Sequence, residues 1–275
     1  MKKVKRNTTK LFLQKGSCSH LFYYLLNQEF GNANEIEERA ADPLAGGIYQ
    51  MGYQCGMVWG SSLALGAESF RRYGNNSAAI FMTIKATQHV IESFIKYTES
   101  IECNDITQTD FTSKLSLAKY FFTGKFFTCF SLANKWAPEA IKAAHEGLSQ
   151  EKITFPKKCF SCASEVLKKL GAKDEEIVMV AGFAGGLGLS GNGCGALSAA
   201  IWYNKFKEIK VNPELKYTLK DPSTQKIIDD FHEVTDFKVL CSDIVERKFS
   251  SIEDHSNYIE NGGCRNIIDF LSHVK

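Results

Sequence analysis

The sequence lacks a long hydrophobic run. After the basic segment Met1–Asn7, the first apolar run is only Leu11–Leu13, which is too short for the core of a signal peptide. No later stretch approaches the ~18 consecutive apolar residues that a membrane-spanning helix requires. We therefore expect no association with a membrane and a cytoplasmic location.

The sequence also lacks an excess of charge of one sign. Its 33 lysine and arginine residues nearly balance its 31 aspartate and glutamate residues, and the formal net charge is +2. Such a balance does not indicate binding to nucleic acid or to an anionic membrane. None of the six histidines follows a C-x-x-C sequence, so covalent haem attachment is not expected. No acid–base or nucleophile–base arrangement is visible, and whether the protein is an enzyme stays open.

What the sequence does contain is an internal duplication. Residues Leu44–Gly56 match Phe183–Gly195 without a gap, 139 residues further on, and Ala, Gly, Gly, Gly, Cys and Gly coincide. A second match, at an offset of 138 residues, joins Cys103–Ile106 to Cys241–Ile244. After Cys103–Ile106 come Phe111, Tyr120 and Gly124, and the second copy has the same residue types at that same offset. The chain is therefore predicted to contain two tandem copies of one unit.

Eight of the nine cysteines occupy matching positions in the two copies. Apolar residues of similar volume replace one another at small cost as a duplicated chain diverges, so thiols that persist in pairs indicate chemistry rather than packing. The unmatched Cys159 is interpreted as a small buried hydrophobic residue. The first quartet is Cys18, Cys55, Cys103 and Cys129, and the second quartet is Cys162, Cys194, Cys241 and Cys264.

The spacing of the matched cysteines favours one kind of metal centre. Structural disulfides are not expected in a reducing cytoplasm, and copies of ~120–140 residues can form a core without them. Structural zinc usually takes its ligands from two close pairs, whereas 22 to 47 residues separate successive cysteines here. Four thiolates from four separate elements suit an iron–sulfur cluster. We predict a [2Fe–2S] or [4Fe–4S] cluster in each quartet, and whether one site draws ligands from both copies stays open. A metal-free thiol–disulfide oxidoreductase and a structural zinc-binding protein are the alternatives.

Hydrophobic periodicity predicts an all-α fold. Apolar residues recur every three or four positions over residues 87–101 and again over 224–240, where the stripe includes Val234 and Phe237. The first and fourth cysteines of each copy are predicted to open amphipathic helices, with the thiols on the buried side.

The predicted domains are two helical modules, residues 1–148 and 149–275, joined by a linker within residues 142–158. We expect them to pack with pseudo-two-fold symmetry, as the two subunits of a homodimer would. Further association into a homo-oligomer stays open.

Residues near the second and third cysteines repeat as well. Gly56 and Gly195 directly follow the second cysteine, at a predicted helix start whose free N–H groups and dipole favour a thiolate. Glycine there also permits close approach to a cluster, so both glycines are predicted to contribute to cofactor binding. Asp105 and Asp243, two residues beyond the third cysteine, are predicted to accept hydrogen bonds at a helix start or to support the cofactor.

One motif looks like a dinucleotide-binding fingerprint. Gly186–Gly191 spells G-x-G-x-x-G after the apolar segment Ile177–Ala181. The first copy has Tyr49 where the second glycine must stand, and the alternation of strands and helices that such a fold needs does not recur. We therefore do not expect nucleotide binding.

The stretch after the second cysteine carries a resemblance to a known family. Cys194-Gly-Ala-Leu-Ser-Ala199 and Cys55-Gly-Met-Val-Trp-Gly60 resemble the Cys-Gly-Ala-x-x-Gly motif of the redox-active proteins named C_GCAxxG_C_C. The resemblance covers nearly the whole chain as two copies. Each copy departs once, with Ala199 in place of the final glycine and Met57 in place of the alanine. The same module is similar to the N-terminal part of split-Soret cytochrome c, whose haem-binding part has no counterpart here.

The resemblance implies a helical redox protein whose module is associated with an iron–sulfur centre. On that basis the chain is expected to act in electron transfer or redox sensing together with a redox partner protein. The resemblance implies no substrate.

Overall fold

The computed structural model of the chain describes residues 8–74, 77–111, 113–149, 154–216, 218 and 221–274. These residues form fifteen α-helices and two short 3₁₀ turns, and no β-strand is formed among them. The predicted all-α fold is confirmed. The basic segment Met1–Asn7 and residues 150–153 of the predicted linker lie outside the described residues. Within the described ranges, no helix combines the length and apolar character needed to cross a membrane.

The helices of the two copies follow one another in the same order. Helices α2 to α8 of the first copy correspond one by one to α9 to α15 of the second, and α1 has no counterpart among the described residues. The first copy contains α1 (Thr8–Lys15), α2 (Cys18–Phe30), α3 (Glu35–Ala40), the 3₁₀ turn Asp42–Leu44, α4 (Gly56–Tyr73), α5 (Ser77–Thr98), α6 (Cys103–Thr107), α7 (Lys114–Phe122) and α8 (Phe126–Gly147). The second contains α9 (Cys162–Lys169), α10 (Asp174–Met179), the 3₁₀ turn Ala181–Phe183, α11 (Gly195–Val211), α12 (Pro222–Val234), α13 (Cys241–Ile244), α14 (Ile252–Glu260) and α15 (Arg265–Leu271).

Local capping sets where the first cysteine of each copy lies. The Ser17 side chain accepts a hydrogen bond from the backbone N–H of His20, and the Ser161 side chain accepts one from Ser164. A serine in this position satisfies an N–H group that the helix itself leaves free. The residue after each serine is therefore the first helical residue, and in both copies it is the first cysteine.

A left-handed turn precedes the second cysteine in each copy. Five consecutive residues have positive φ in both cases, 46–50 and 185–189. Three of the five are glycine in the second copy, and glycine adopts this conformation at little cost. The first copy has two glycines, and Ile48 and Tyr49 adopt it at a cost of roughly 1–2 kcal/mol per residue. The turn reverses the chain ahead of the helix that carries the second cysteine.

The G-x-G-x-x-G motif of the second copy lies in this left-handed turn. The apolar residues before it belong to α10 and to the 3₁₀ turn Ala181–Phe183, not to a strand. The motif therefore lacks the strand-to-helix context in which it would bind a dinucleotide. The lack of a strand agrees with the sequence of the first copy, which also departs from the dinucleotide-binding pattern.

The apolar stripe predicted over residues 224–240 is wrong at its C-terminal end. Helix α12 ends at Val234, and Asp236 and Phe237 have positive φ. Phe237 is 73% exposed, because a chain that leaves the helical conformation no longer keeps the helical spacing of its apolar residues.

The two copies pack against each other through reciprocal contacts. Helix α4 of the first copy lies on α10 of the second, and α11 of the second lies on α3 of the first. At Gly66 the approach is so close that a Cβ atom would overlap the backbone of Met179. One hydrophobic core runs through both copies. Contacts that repeat with the partners exchanged define a two-fold relation, and the expected pseudo-two-fold packing is confirmed.

Glu37 is a buried carboxyl group at this junction. Burial, together with the nearby Glu175 and Glu176, raises its pKa from 4.5 to about 8. The folded chain holds the proton of Glu37 more tightly than the unfolded chain does. The stabilisation by protonated Glu37 is therefore complete below pH 4.5 and is lost as the pH rises towards 8. We expect the free energy of unfolding to fall by on the order of 3 kcal/mol over that range.

The substitution Glu37→Gln is expected to remove most of this pH dependence, because glutamine stays neutral. Urea unfolding at pH 5, 7 and 8.5 measures the effect, with the exposed Glu35→Gln on the same helix as the control. Identical pH profiles for Glu37→Gln and the unmodified chain would contradict the assignment.

Candidate metal centres

Each cysteine quartet surrounds its own cavity. The cavity in the first copy has a volume of about 470 Å³ and that in the second a volume of about 10 Å³. We call these the first-copy cavity and the second-copy cavity. All nine cysteines are free thiols. The first-copy cavity is lined by Cys18, Cys55, Cys103 and Cys129, and the second-copy cavity by Cys162, Cys194, Cys241 and Cys264.

A pair of backbone hydrogen bonds holds the second cysteine beside the third. The N–H of Cys55 donates to the carbonyl of Ile101 (2.8 Å), and the N–H of Cys103 donates to the carbonyl of Tyr53 (2.7 Å). Reciprocal bonds of this kind fix the separation of two chain segments much as in a sheet. The second copy repeats both bonds, from Cys194 to Val239 (2.8 Å) and from Cys241 to Asn192 (2.6 Å).

Helix starts supply hydrogen bonds to the first cysteine. In the first copy, the backbone N–H groups of Gly46 and Ser19 donate to the sulfur of Cys18. In the second copy, those of Gly185 and Ala163 donate to Cys162. Gly46 and Gly185 are the first residues of the two left-handed turns, so the turn and the helix start together form a repeated set of donors.

The second cysteine lies at the N-terminal end of its helix in both copies. Cys55 directly precedes α4 and receives the N–H of Met57, and Cys194 directly precedes α11 and receives those of Ala196 and Leu197. Backbone N–H groups at a helix start favour a thiolate.

The two copies differ in the pKa values of these thiols. In the first copy the Cys55 thiol hydrogen-bonds to the sulfur of Cys18, which is the main reason that the pKa of Cys18 is lowered and that of Cys55 is raised. In the second copy no such bond contributes, and burial raises the pKa of Cys162 and raises that of Cys194 to about 12. The first copy thus contains the thiol that loses its proton more readily.

A tyrosine accompanies the fourth cysteine in each copy. The hydroxyl of Tyr120 lies 3.5 Å from the sulfur of Cys129, and Tyr258 makes the equivalent hydrogen bond to Cys264. The repeated tyrosine was visible in the sequence as part of the duplication, but its proximity to a cysteine was not predicted. Both cysteines are half-buried, although burial raises the pKa of Cys129 to about 11.

The two glycines predicted to bind the cofactor lie against the quartets. A Cβ atom at Gly56 would come within 2.6 Å of the Cys18 sulfur, and one at Gly195 would overlap the carbonyl of Phe183. The glycines therefore allow the helix that follows the second cysteine to approach the first cysteine in the first copy and the 3₁₀ turn Ala181–Phe183 in the second. Direct contact with a cofactor stays a prediction.

The two aspartates predicted alongside them do not reach the cavities. Asp105 and Asp243 are exposed in the first turns of α6 and α13, and neither lines the cavity of its copy. The carboxylate of Asp105 accepts a hydrogen bond from Ser100 (2.7 Å). Both lie at a helix start, but the hydrogen bonds recorded for their carboxylates come from serine hydroxyls, so the predicted acceptance of helix N–H bonds stays a prediction.

His255 lines the second-copy cavity and was not predicted. It is buried, its ring packs edge-on against Phe249 at 4.8 Å, and its Nδ1 has no hydrogen-bond partner. Burial lowers its pKa to about 4. The duplication does not indicate His255, because Leu117 stands at the equivalent position of the first copy. The sequence signal that could have indicated His255 is its position on the same helix, α14, as the repeated Tyr258.

Both quartets line a cavity, and the second-copy cavity is only about as large as a single water. Among the described residues, no three His, Cys, Asp or Glu side chains lie close enough together to hold a single metal ion.

The fold and the two sites define a duplicated all-α protein with a four-thiol centre in each copy. A family model described as "Putative redox-active protein (C_GCAxxG_C_C)" matches residues 17–142 and again residues 158–273. The chain belongs to this family as a tandem duplication, and its role is a redox role. Comparison with curated proteins and with solved structures finds no match. The similarity to split-Soret cytochrome c stays a prediction.

Proposed function

We propose that each quartet binds an iron–sulfur cluster and that the protein acts in electron transfer or redox sensing with a partner protein. The observation that supports this proposal is that four cysteines from four separate elements surround one cavity, and that this arrangement occurs twice. When bound, such a cluster would accept and donate single electrons.

The donor set suits this cofactor. Four cysteine sulfurs are the usual ligands of both common cluster types, and the described N–H groups at Gly46 and Gly185 would remain close to a ligand sulfur. Hydrogen bonds to the sulfurs and exclusion of water both tune the potential of a cluster. The chain's own contribution is thus to hold the thiols, to donate N–H bonds to them and to bury them.

The two centres are proposed to differ. The second-copy cavity of about 10 Å³ is about the size of a single water, so its walls must move apart before a cluster fits. His255 would then offer a buried ring nitrogen without another partner. The first-copy cavity has space for a cluster without such movement.

Cysteine substitutions test the proposal. The chain is reconstituted with iron and sulfide under anaerobic conditions, and iron, acid-labile sulfide and zinc are measured together with visible and EPR spectra. We expect Cys55→Ala and Cys194→Ala each to lower the iron and sulfide content to about half.

The ninth cysteine provides the matched control. Cys159 is equally buried but lines neither cavity, so Cys159→Ala should retain the full iron content and spectrum. A colourless unmodified chain that binds zinc, or equal iron content in all three variants, would refute the proposal.

A metal-free thiol–disulfide oxidoreductase is a second candidate for the first copy. It is favoured by the hydrogen bond between the thiols of Cys18 and Cys55 and by the lowered pKa of Cys18, because the thiolate is the form that attacks a disulfide. In a chain without iron, mild oxidation should reversibly prevent the alkylation of these two thiols. That result would favour this candidate over the cluster.

A further inference from the structure

The two cavities differ more than their cysteines do. Both are lined by four cysteines, and the repeated tyrosine contacts the fourth cysteine in both copies. Even so, the first-copy cavity is larger by hundreds of Å³. The second copy does have a pocket of about 470 Å³ beside its fourth cysteine, but charged residues (Asp236, Lys238 and Arg265) line that pocket and the other three cysteines do not.

A three-residue insertion accompanies the larger cavity. Four residues separate Gly124 from Cys129, whereas one residue separates the equivalent Gly262 from Cys264. The insertion contains Phe126, which begins α8 and lines the first-copy cavity. At the equivalent point of the second copy, Cys264 itself adopts a left-handed conformation with φ of 56° just before α15.

The wall of the first-copy cavity is aromatic and uncharged. It contains five phenylalanines and one tyrosine, and no charged side chain is found among its described lining residues. The aromatic residues are Phe12, Phe111, Tyr120, Phe121, Phe126 and Phe130. In the second copy, the positions equivalent to Leu117 and Phe121 are His255 and Ile259, which also line their cavity.

Polar groups on this wall already have partners. The Ser17 hydroxyl donates to Asp42 (2.6 Å), the Thr107 hydroxyl donates to the carbonyl of Cys103 (2.7 Å), and the Tyr120 hydroxyl pairs with the sulfur of Cys129. An anionic ligand would lose its water here and find no cationic side chain among the described lining residues, at a cost of several kcal/mol. An uncharged aromatic ring loses nothing of this kind and gains edge-to-face contacts with the phenylalanines.

We infer that the first-copy cavity binds an uncharged aromatic organic molecule beside its cysteine quartet, and that the second-copy cavity does not. A volume of about 470 Å³ lies in the range of roughly 300–1,000 Å³ typical of pockets for small organic ligands. A cluster of about eight atoms would fill only part of it. Phe121 lines the cavity and is 53% exposed, so this wall reaches solvent and offers a route inwards. The inference goes beyond the proposed function and holds for a metal-loaded or a metal-free quartet.

Titration with naphthalene tests this inference. Naphthalene is uncharged, fluorescent and does not react with thiols, and adamantan-1-ol serves as an aliphatic compound with the same number of carbons. Both are titrated into the unmodified chain, once after reconstitution with iron and sulfide and once after removal of metal. We expect one saturable naphthalene site per chain in both forms, and binding of adamantan-1-ol that is weaker by at least about tenfold.

Two substitutions on one helix locate the site. Leu117 lines the cavity, so Leu117→Trp should fill it and weaken naphthalene binding by at least about tenfold. Leu115 is 82% exposed and lies outside the cavity, so Leu115→Trp should bind as the unmodified chain does. Because Phe121 is partly exposed, Phe121→Ala should fold normally and still lose affinity several-fold.

Several results would overturn the inference. These are the absence of saturable binding in both forms, unchanged affinity in both Leu117→Trp and Phe121→Ala, and equal affinity for adamantan-1-ol. Binding to the metal-free form but not to a successfully reconstituted form would also overturn it, because the cavity would then be space for the cluster only. Failure of iron reconstitution leaves the metal-free titration valid, so the two proposals fail separately.

Discussion

The substitution Gly60→Ala is expected to lower the free energy of unfolding by about 3 kcal/mol, a large effect for one methyl group. A Cβ atom at this position would overlap the carbonyl oxygen of Ser19 and come within 2.9 Å of the Tyr23 nitrogen. Both are backbone atoms of α2, and a backbone atom cannot rotate away as a side chain can. Helices α2 and α4 would have to separate, and Cys18 at the start of α2 would move with them.

The second copy supplies the matched control for this prediction. Ala199 stands at the equivalent position on α11, so there the helices already accommodate a methyl group. Ala199→Gly should cost only about 1 kcal/mol, which is the usual difference in helix propensity. Urea unfolding followed by circular dichroism measures both variants. Equal midpoints for Gly60→Ala and the unmodified chain would show that α2 and α4 are not packed as closely as described.

The substitution Trp59→Ala should lower the free energy of unfolding by about 3–5 kcal/mol. Trp59 is fully buried on α4, and its ring meets that of Phe183 edge-on, with 4.6 Å between centroids. Phe183 belongs to the second copy, so the cavity left by alanine would open at the junction between the copies. Both copies should therefore lose stability in one transition.

A milder change at the same position separates packing from hydrogen bonding. The indole Nε1 of Trp59 is buried without a hydrogen-bond partner, so Trp59→Phe removes no hydrogen bond and keeps most of the aromatic contact. We expect it to cost less than about 2 kcal/mol, again by urea unfolding. A loss as large as that of Trp59→Ala would mean that the indole ring as a whole, rather than aromatic packing against Phe183, stabilises the junction.

Much of the fold was predictable because it depends on patterns along the chain. The apolar spacing over residues 87–101 indicated helix α5, since helical periodicity is a local property, but the helix ends at Thr98 and Ile101 lies beyond it. The same pattern overran the end of α12, where Phe237 is exposed. The end of that helix depends on residues of positive φ, which apolar spacing does not report.

The candidate sites were predictable in part for a similar reason. Matching cysteines in two copies indicated which sulfurs belong together, and each set does line one cavity. His255 and the contacts of the two tyrosines with cysteines were not predicted, because repetition along the chain does not report which side chains approach one another in space. Asp105 and Asp243 were included because they repeat, but a repeated residue at a helix start can remain on the surface.

By itself, the sequence determined the helical class, the duplication and the pairing of eight cysteines between the copies, because spacing and repetition are preserved along the chain. Only the tertiary structure decided the sizes of the two cavities, the hydrogen bond between Cys18 and Cys55, and the junction at which Trp59 meets Phe183. These features depend on how elements distant in the chain pack together. Close packing makes them sensitive to changes as small as one methyl group or a three-residue insertion.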